Sequence, residues 1–260
     1  MYQCQNKIAL ITGASAGIGF ASAAAFAAAG ANLVLCARRL DPLERLRDQL
    51  VADHGVRVSV FALDVSDAQG VAQVLSTLLA EHTIDILVNN AGLALGVDRL
   101  DEAQVADWDQ MIDVNIKGLL YVTRQVLQQM RQRSSGHVIN VGSISSRQVY
   151  SGGAVYCATK FAVRAITEGL KMDVHGTPIR TTLINPGLVE TEFSMTRFSG
   201  NQTQAAAVYA GMTPLRAADI ADAILYAATR PLHVDVREIT LLPTAQTAAH
   251  LCHRDEDSLS

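Results

Sequence analysis

Short, nearly unbroken apolar runs recur along the chain at residues 8–12, 32–37, 57–63, 84–88, 136–141, 179–184 and 237–241. Between them, apolar residues fall three and four apart near 17–29, 41–54, 67–81, 103–132, 154–175 and 217–229, which predicts helices with one buried face. Apolar strands separated by helices predict a parallel sheet covered on both sides. Right-handed crossovers then build a single doubly wound α/β domain of about seven strands. No internal repeat, low-complexity linker or compositional break divides the chain, so 1–242 reads as one domain and 243–260 as a tail. The stretch 188–215 breaks the rhythm: it is polar, with Met, Phe and Tyr interspersed and few strand signals. A long connection after the sixth strand, at the carboxyl edge of such a sheet, is expected to be a substrate lid.

Composition narrows this picture by exclusion. A chain of 260 residues that is 49% hydrophobic can bury one substantial core. A net charge of -4 with scattered Lys and Arg gives no footprint for nucleic acid or an anionic membrane. No apolar run approaches the ~20 residues of a membrane span. The opening MYQCQNKIAL lacks the zones of a signal peptide. Cys4, Cys36, Cys157 and Cys252 form no CxxC pair and read as reduced thiols of a cytoplasmic protein. The seven histidines show no HExxH or similar metal-binding spacing, and His250 and His253 read as solvated tail residues.

Two constellations carry candidate chemistry. The first apolar run ends in Thr12-Gly13-Ala14-Ser15-Ala16-Gly17-Ile18-Gly19 and leads into an Ala-rich helix. Glycines at a strand-to-helix turn let the backbone approach a pyrophosphate, whose charge rests against the helix N-terminus. A plain tight turn would use the same glycines, and the alanines would serve helix propensity alone. The second constellation is Ser143, Tyr156 thirteen residues later, and Lys160 one helical turn beyond the tyrosine. Residues four apart share a helix face, so the Lys160 ammonium can lie near the Tyr156 phenol. A cation favours the phenolate, and moving a phenol by about 3 pKa units takes roughly 4 kcal/mol. Lysine together with an oxidised nicotinamide would supply that charge, while Ser143 hydrogen-bonds the same substrate oxygen. A Tyr-x-x-x-Lys pair also arises on ordinary helices, and it acquires meaning only beside a dinucleotide site.

Taken together, these motifs resemble the short-chain dehydrogenase/reductase family. TGASAGIG is similar to its cofactor turn, and Asn89-Asn90-Ala91-Gly92 to the stretch after its fourth strand. Asn115, Ser143, Tyr156 and Lys160 fall at its four catalytic positions, and Pro186-Gly187 followed by Thr191 at its segment beside the nicotinamide. The resemblance runs from about residue 6 to 242. It implies a Rossmann-like sheet, a nicotinamide cofactor and hydride transfer between carbonyl and alcohol. Tyr156 would then exchange the proton, Ser143 fix the reacting oxygen, and Lys160 hold the nicotinamide ribose. Asn115 would help hold a water linking Lys160 to solvent. The implied cofactor contacts are Gly13, Ser15, Gly17, Ile18, Gly19, Asp64, Val65, Asn90, Ala91, Gly92, Tyr156, Lys160, Pro186, Gly187, Val189 and Thr191. Asp64 would contact adenine, though an Asp there could equally cap the next helix. A homotetramer joined through 103–132 and 154–175 is also implied.

The second apolar run ends Leu35-Cys36-Ala37-Arg38-Arg39, with no acid placed to bind a free 2′-hydroxyl. Two guanidinium groups instead suit the 2′-phosphate of NADP(H), unless one or both are solvated loop residues. Within the family, the segments at 89–96, 173–180 and 186–198 are similar to NADP-dependent 3-hydroxy acid dehydrogenases. Those enzymes act on L-allo-threonine, serine and related hydroxy acids, and sulfoacetaldehyde reductases are their relatives. The resemblance implies a small anionic hydroxy acid or aldehyde, which Arg197, Tyr150 and Gln246 would clamp. A broad carbonyl reductase would share the catalytic set without using a lid arginine. A dinucleotide-binding regulator would keep the glycine turn and lose the catalytic set. The tail would cover the site or a neighbouring subunit, or stay disordered.

Overall fold

The computed structural model describes residues 3–255. The first half contains β1 (Ile8–Thr12), α1 (Gly17–Ala28), β2 (Asn32–Ala37), α2 (Leu40–His54), β3 (Val58–Ala62), α3 (Ala68–Glu81) and β4 (Ile86–Asn89). Next come α4 (Val105–Ile112), a π-helical stretch (Asp113–Gly118), α5 (Leu119–Gln132), β5 (His137–Val141), α6 (Ala154–Asp173) and β6 (Arg180–Pro186). The remainder holds β7 (Val189–Glu190), α7 (Glu192–Arg197), α8 (Gln202–Ala207), β8 (Leu215–Arg216), α9 (Ala217–Ala228), β9 (Glu238–Leu241), β10 (Gln246–Ala248) and β11 (Leu251–Cys252).

Seven of these strands form one parallel sheet in the order β3-β2-β1-β4-β5-β6-β9. Side chains alternate across it with the strand period of two. Ala9, Ile11, Leu33, Leu35, Ile86, Val88 and Ile139 join the core layer beneath α1, α2 and α9. Leu10, Val34, Leu87 and Val138 join the layer beneath α3 and α5. Burial on both faces explains why the central strands read as unbroken apolar runs, while β3 and β9 at the two edges are only partly buried. The chain enters at β1, works outward to β3, and returns to β4 before working outward the other way. That reversal opens a crevice above the carboxyl ends of β1 and β4.

Several elements depart from the sequence reading. The fourth strand starts at Ile86 rather than residue 84, because Gln129 Oε1 takes the Ile84 N–H at 2.8 Å. The single helix predicted over 103–132 is α4 and α5 joined through a π-helical stretch. The connection 188–215 contains α7, α8 and the parallel pair β7–β8, pieces too short for periodicity to register. The cap of α3 is Asp67, which accepts from Gln69 N, and not Asp64. The tail folds into the antiparallel pair β10–β11, and Arg254 donates to the carbonyls of Val208 and Ala210.

A buried histidine at the base of the sheet links stability to pH. His137 Nε2 lies 2.7 Å from Thr182 Oγ1, which donates onward to the Val236 carbonyl at 2.6 Å. The imidazole must therefore donate from Nε2, leaving Nδ1 buried without a partner among the described residues. Burial, with Arg180 and Lys171 nearby, holds His137 well below its ordinary pKa. The unfolded chain takes up a proton near pH 6.5 that the folded chain refuses. Stability should thus fall with decreasing pH below that point, by up to about 1.4 kcal/mol per unit from this residue. In urea melts at pH 5.5 and 7.5, His137→Gln should show a smaller difference between the two pH values than the parent chain.

Candidate active site

The crevice is a cleft of about 460 Å³. Its floor is built where the β1–α1 turn meets the loop after β4. Thr12, the last residue of β1, accepts the N–H groups of Asn90 and Ala91 on its hydroxyl, both at 3.1 Å. Asn90 returns its side-chain amide to the carbonyls of Thr12 and Gly13 at 3.0 and 3.1 Å. Contact is so close that a Cβ on Gly13 would lie 2.9 Å from the Ala91 Cα, and Gly13 has φ +64. A Cβ on Gly19 would lie 2.4 Å from the Gly13 carbonyl oxygen, so α1 can seat only with glycine there. The N-cap of α1, Ala16, makes no side-chain bond to the first helical N–H groups. Those groups are left without a side-chain partner, as a helix start that receives an anion requires.

Gly13, Ser15, Gly17, Ile18, Asn90, Ala91 and Gly92 line this half of the cleft, and Pro186, Gly187, Val189 and Thr191 close it from the other side. Arg38 and Arg39 are exposed at its mouth. Arg39 approaches Glu192 of α7 at 3.5 Å, between two exposed side chains. Asp64, exposed, and Val65, buried, are not among the residues that line the cleft. The Asp64 carboxylate accepts the backbone N–H and hydroxyl of Ser66 at 2.9 and 2.6 Å. Burial would raise the pKa of Asp64, but the Ser66 bonds and the nearby Arg38 together hold it low. Val65 is buried against Gly118, where a Cβ would lie 2.7 Å from a Val65 methyl.

The other half of the cleft gathers Ser143, Tyr156 and Lys160. Ser143 is extended and caps a 3₁₀ turn over Ile144–Ser146, its Oγ accepting from Ser145 N at 3.1 Å. Tyr156 and Lys160 lie in the first two turns of α6, both buried. Lys160 Nζ donates to the Val141 carbonyl at 2.9 Å and lies 5.9 Å from the Tyr156 ring centre. Burial brings Lys160 down to about 8. Burial also pushes the Tyr156 phenol well up, helped by Tyr150; a hydrogen bond with Ser143 and the charge of Arg197 pull the other way. Lys160 is not among the groups that act on the phenol here. Desolvation outweighs the Ser143 bond and the Arg197 charge at Tyr156, and it also disfavours the charged form of Lys160.

Asn115 sits off the cleft lining, buried in the π-helical stretch. Its Oδ1 accepts from Leu93 N at 2.8 Å, and its Nδ2 donates to the Leu93 carbonyl and to Thr159 Oγ1 at 2.8 and 3.0 Å. A Cβ on Gly92 would come within 3.2 Å of Asn115 Oδ1 and 3.6 Å of Lys160 Nζ. The asparagine therefore fastens the loop after β4 to α6 beside the lysine. Widened π turns often mark functional positions, because they re-aim one side chain within a helix.

Arg197, at the end of α7, reaches over the site. Its Nε donates to the Gly96 carbonyl and its own carbonyl accepts from Gly96 N, both at 3.0 Å. Its guanidinium lies 5.3 Å from the Tyr150 ring centre and 5.8 Å from that of Tyr156. Arg197 Nη2 and Tyr150 Oη are both buried and make no well-aligned hydrogen bond with a described residue, although the guanidinium is close enough to Tyr150 to act on its phenol. Gln246 lines the cleft with Tyr150 and Arg197, and its amide is also engaged within the protein. Its Oε1 accepts from Leu188 N at 2.8 Å and its Nε2 donates to the Ala248 carbonyl at 3.1 Å, so it fastens β10 to the start of the lid. Sequence reasoning missed Thr12, Gly96 and Phe193, whose ring meets Tyr156 edge-on at 5.8 Å. Only Thr12 left a signal, as the polar residue ending an apolar strand.

Comparison with known proteins agrees with this geometry. A family model described as short chain dehydrogenase matches residues 7–202. An NADP-dependent 3-hydroxy acid dehydrogenase of Salmonella typhimurium is 43% identical over 246 residues, 94% of this chain and 98% of that protein. Sulfoacetaldehyde reductase 2 of Chromohalobacter salexigens is 42% identical, over 93% of this chain and 96% of that protein. A solved structure of the closed form of serine dehydrogenase complexed with NADP+ superposes with a TM-score of 0.89 at 42% identity, covering 95% of this chain and 100% of that one.

The phenol can be tested apart from its ring. Tyr156→Phe keeps the ring that meets Phe193 and deletes the hydroxyl that carries the transferable proton. Turnover between carbonyl and alcohol should fall by roughly 10²–10⁴-fold in steady-state assays, with dinucleotide affinity by titration unchanged. Near-normal turnover would remove Tyr156 from the chemistry.

Proposed function

Since the chain belongs to the short-chain dehydrogenase family and is an oxidoreductase, we propose that it interconverts a small 3-hydroxy acid and its carbonyl form with NADP(H). The names of its relatives support both halves of that reading. So does the fit of the cofactor half-site: the uncapped start of α1 suits the pyrophosphate, and Arg38 at the mouth suits a 2′-phosphate. When bound, the nicotinamide supplies or accepts the hydride. Tyr156 gives the proton to the developing alkoxide in reduction, or takes it from the alcohol in oxidation. Ser143 holds the reacting oxygen, Lys160 holds the ribose, and Asn115 holds the adjoining loop and a water beside Lys160.

The observation that carries the hydroxy-acid reading is the Arg197 guanidinium set against the Tyr150 phenol, whose buried Nη2 and Oη make no well-aligned hydrogen bond with any described residue although the guanidinium is close enough to act on the phenol. Buried polar groups are nearly always well bonded, so two donors left poorly paired beside the Tyr156 ring suit an acceptor-rich head. A guanidinium and a phenol suit a carboxylate, and a sulfonate fits the same donors. Residues 188–215 act as the lid and the described part of 243–260 straps it down. A homotetramer in the cytoplasm completes the reading; exposed Leu120 on α5 and exposed Phe161 and Met172 on α6 support contacts between subunits.

Two substitutions test the halves separately. Arg38→Ala should weaken NADP binding by about 1.5–3 kcal/mol and leave NAD binding nearly unchanged, because only NADP carries the phosphate. Equal losses in fluorescence titrations would make Arg38 structural. Arg197→Met keeps apolar bulk and deletes the charge. Specificity constants for L-allo-threonine, serine, 3-hydroxypropionate and isethionate should drop by roughly ten- to a hundred-fold, while a neutral carbonyl of similar size is reduced as before. Parallel losses on both would mean that Arg197 positions the lid; no change would favour a general carbonyl reductase. The order within the panel separates carboxylate from sulfonate preference.

A further inference from the structure

Behind Ser143, away from the cleft, lies a second polar assembly that substrate cannot touch. Asn185, on β6, is fully buried. Its Oδ1 accepts the backbone N–H of Ser143 at 3.2 Å and the hydroxyl of Ser146 at 2.9 Å. Its Nδ2 donates to Glu238 Oε1 on the neighbouring strand β9. Glu238 in turn receives a two-pronged hydrogen bond from Arg147, which follows the same 3₁₀ turn that Ser143 caps. Of these residues only Ser143 lines the cleft.

The amide has one permissible orientation. An ionised carboxylate can only accept, so the amide nitrogen must face Glu238. A backbone N–H can only donate, so the amide oxygen must face Ser143. Reversing the amide would oppose acceptor to acceptor at one end and donor to donor at the other. A carboxylate on the nitrogen also polarises the amide and strengthens what its oxygen accepts. Space is reserved for the arrangement: a Cβ on Gly142 would lie 2.4 Å from Asn185 Oδ1.

We propose that Glu238 and Asn185 form a positioning relay that sets the Ser143 turn, with Arg147 closing the loop from that turn back to Glu238. Ser143 Oγ is oriented by its own turn, since it accepts from Ser145 N. Whatever fixes the Ser143 backbone therefore fixes where that hydroxyl meets the substrate oxygen and the Tyr156 phenol. Glu238 also has its pKa lowered, chiefly by the Arg147 bond. It stays ionised near neutral pH, so the relay is set wherever Tyr156 exchanges its proton.

This inference rests on Ser143 being catalytic, and a double-mutant cycle separates the two claims. Glu238→Gln, Ser143→Ala and the double variant are assayed with NADP and whichever 3-hydroxy acid is turned over best. Glu238→Gln should lower kcat about tenfold with the dissociation constant for NADP unchanged, and should cost nothing further once Ser143 is Ala. If Ser143→Ala leaves kcat intact, the catalytic reading of Ser143 fails, and the relay with it. If Ser143→Ala lowers kcat but Glu238→Gln costs the same factor in both backgrounds, the relay alone is overturned. Should Glu238→Gln not fold, Arg147→Gln, at a partly exposed residue, runs the same cycle. It should give a severalfold loss of kcat that disappears beside Ser143→Ala; an unchanged kcat, or equal losses in both backgrounds, overturns the proposal.

Discussion

Two loops must touch for this cleft to exist, and there is no room between them for a methyl group. The turn after β1 and the loop after β4 come together so closely that Gly13 meets Ala91 backbone to backbone. Thr12 then accepts two N–H groups of the loop after β4, that of Ala91 and that of Asn90, which it shares with the Val88 carbonyl. Behind the turn, α1 approaches until Gly19 lies on the Gly13 carbonyl. The small residues of α1 are therefore a packing requirement as much as a matter of helix propensity. The start of α1, with no side chain across it, and the whole cofactor half of the cleft follow from this one approach.

The other half is governed by desolvation. Tyr156 and Lys160 are placed on one helix face as their spacing requires, yet burial raises the phenol and lowers the ammonium. Each group is pushed toward its neutral form, which suits a site that passes a proton more than one that stores charge. Arg197 supplies the charge that pulls the phenol back, and it reaches that place only because Gly96 holds its Nε and its backbone.

The lid is held from more than one side. Gly96 grips the end of α7, Gln246 grips the residue before β7, and Arg254 grips the carbonyls following α8. Tyr209, between the carbonyls that Arg254 holds, donates to the Val189 carbonyl and shares a bond with Ser194. Movement of the C-terminal strap is thereby tied to movement of α7, and so to Phe193 and Arg197.

The sequence by itself determined the parallel sheet, its seven strands and the pairing of a glycine turn with a Ser, Tyr and Lys set. Strand burial on two faces and helix burial on one are short-range periodicities, which survive in the order of residues. The placing of Gly13, Tyr156 and Lys160 was legible for the same reason, since each is set by the element that carries it. Only the tertiary structure decided the rest. That Gln246 also ties Leu188 to β10, and that Asp67 rather than Asp64 caps α3, depends on which partner lies within hydrogen-bond reach. Asn185, Glu238 and Arg147 carried no signal, for their meaning arises where two strands and a turn meet across 91 residues of chain. Periodicity also could not foretell the sign of the shift at Tyr156, because desolvation depends on everything packed around a group and not on its neighbours in sequence.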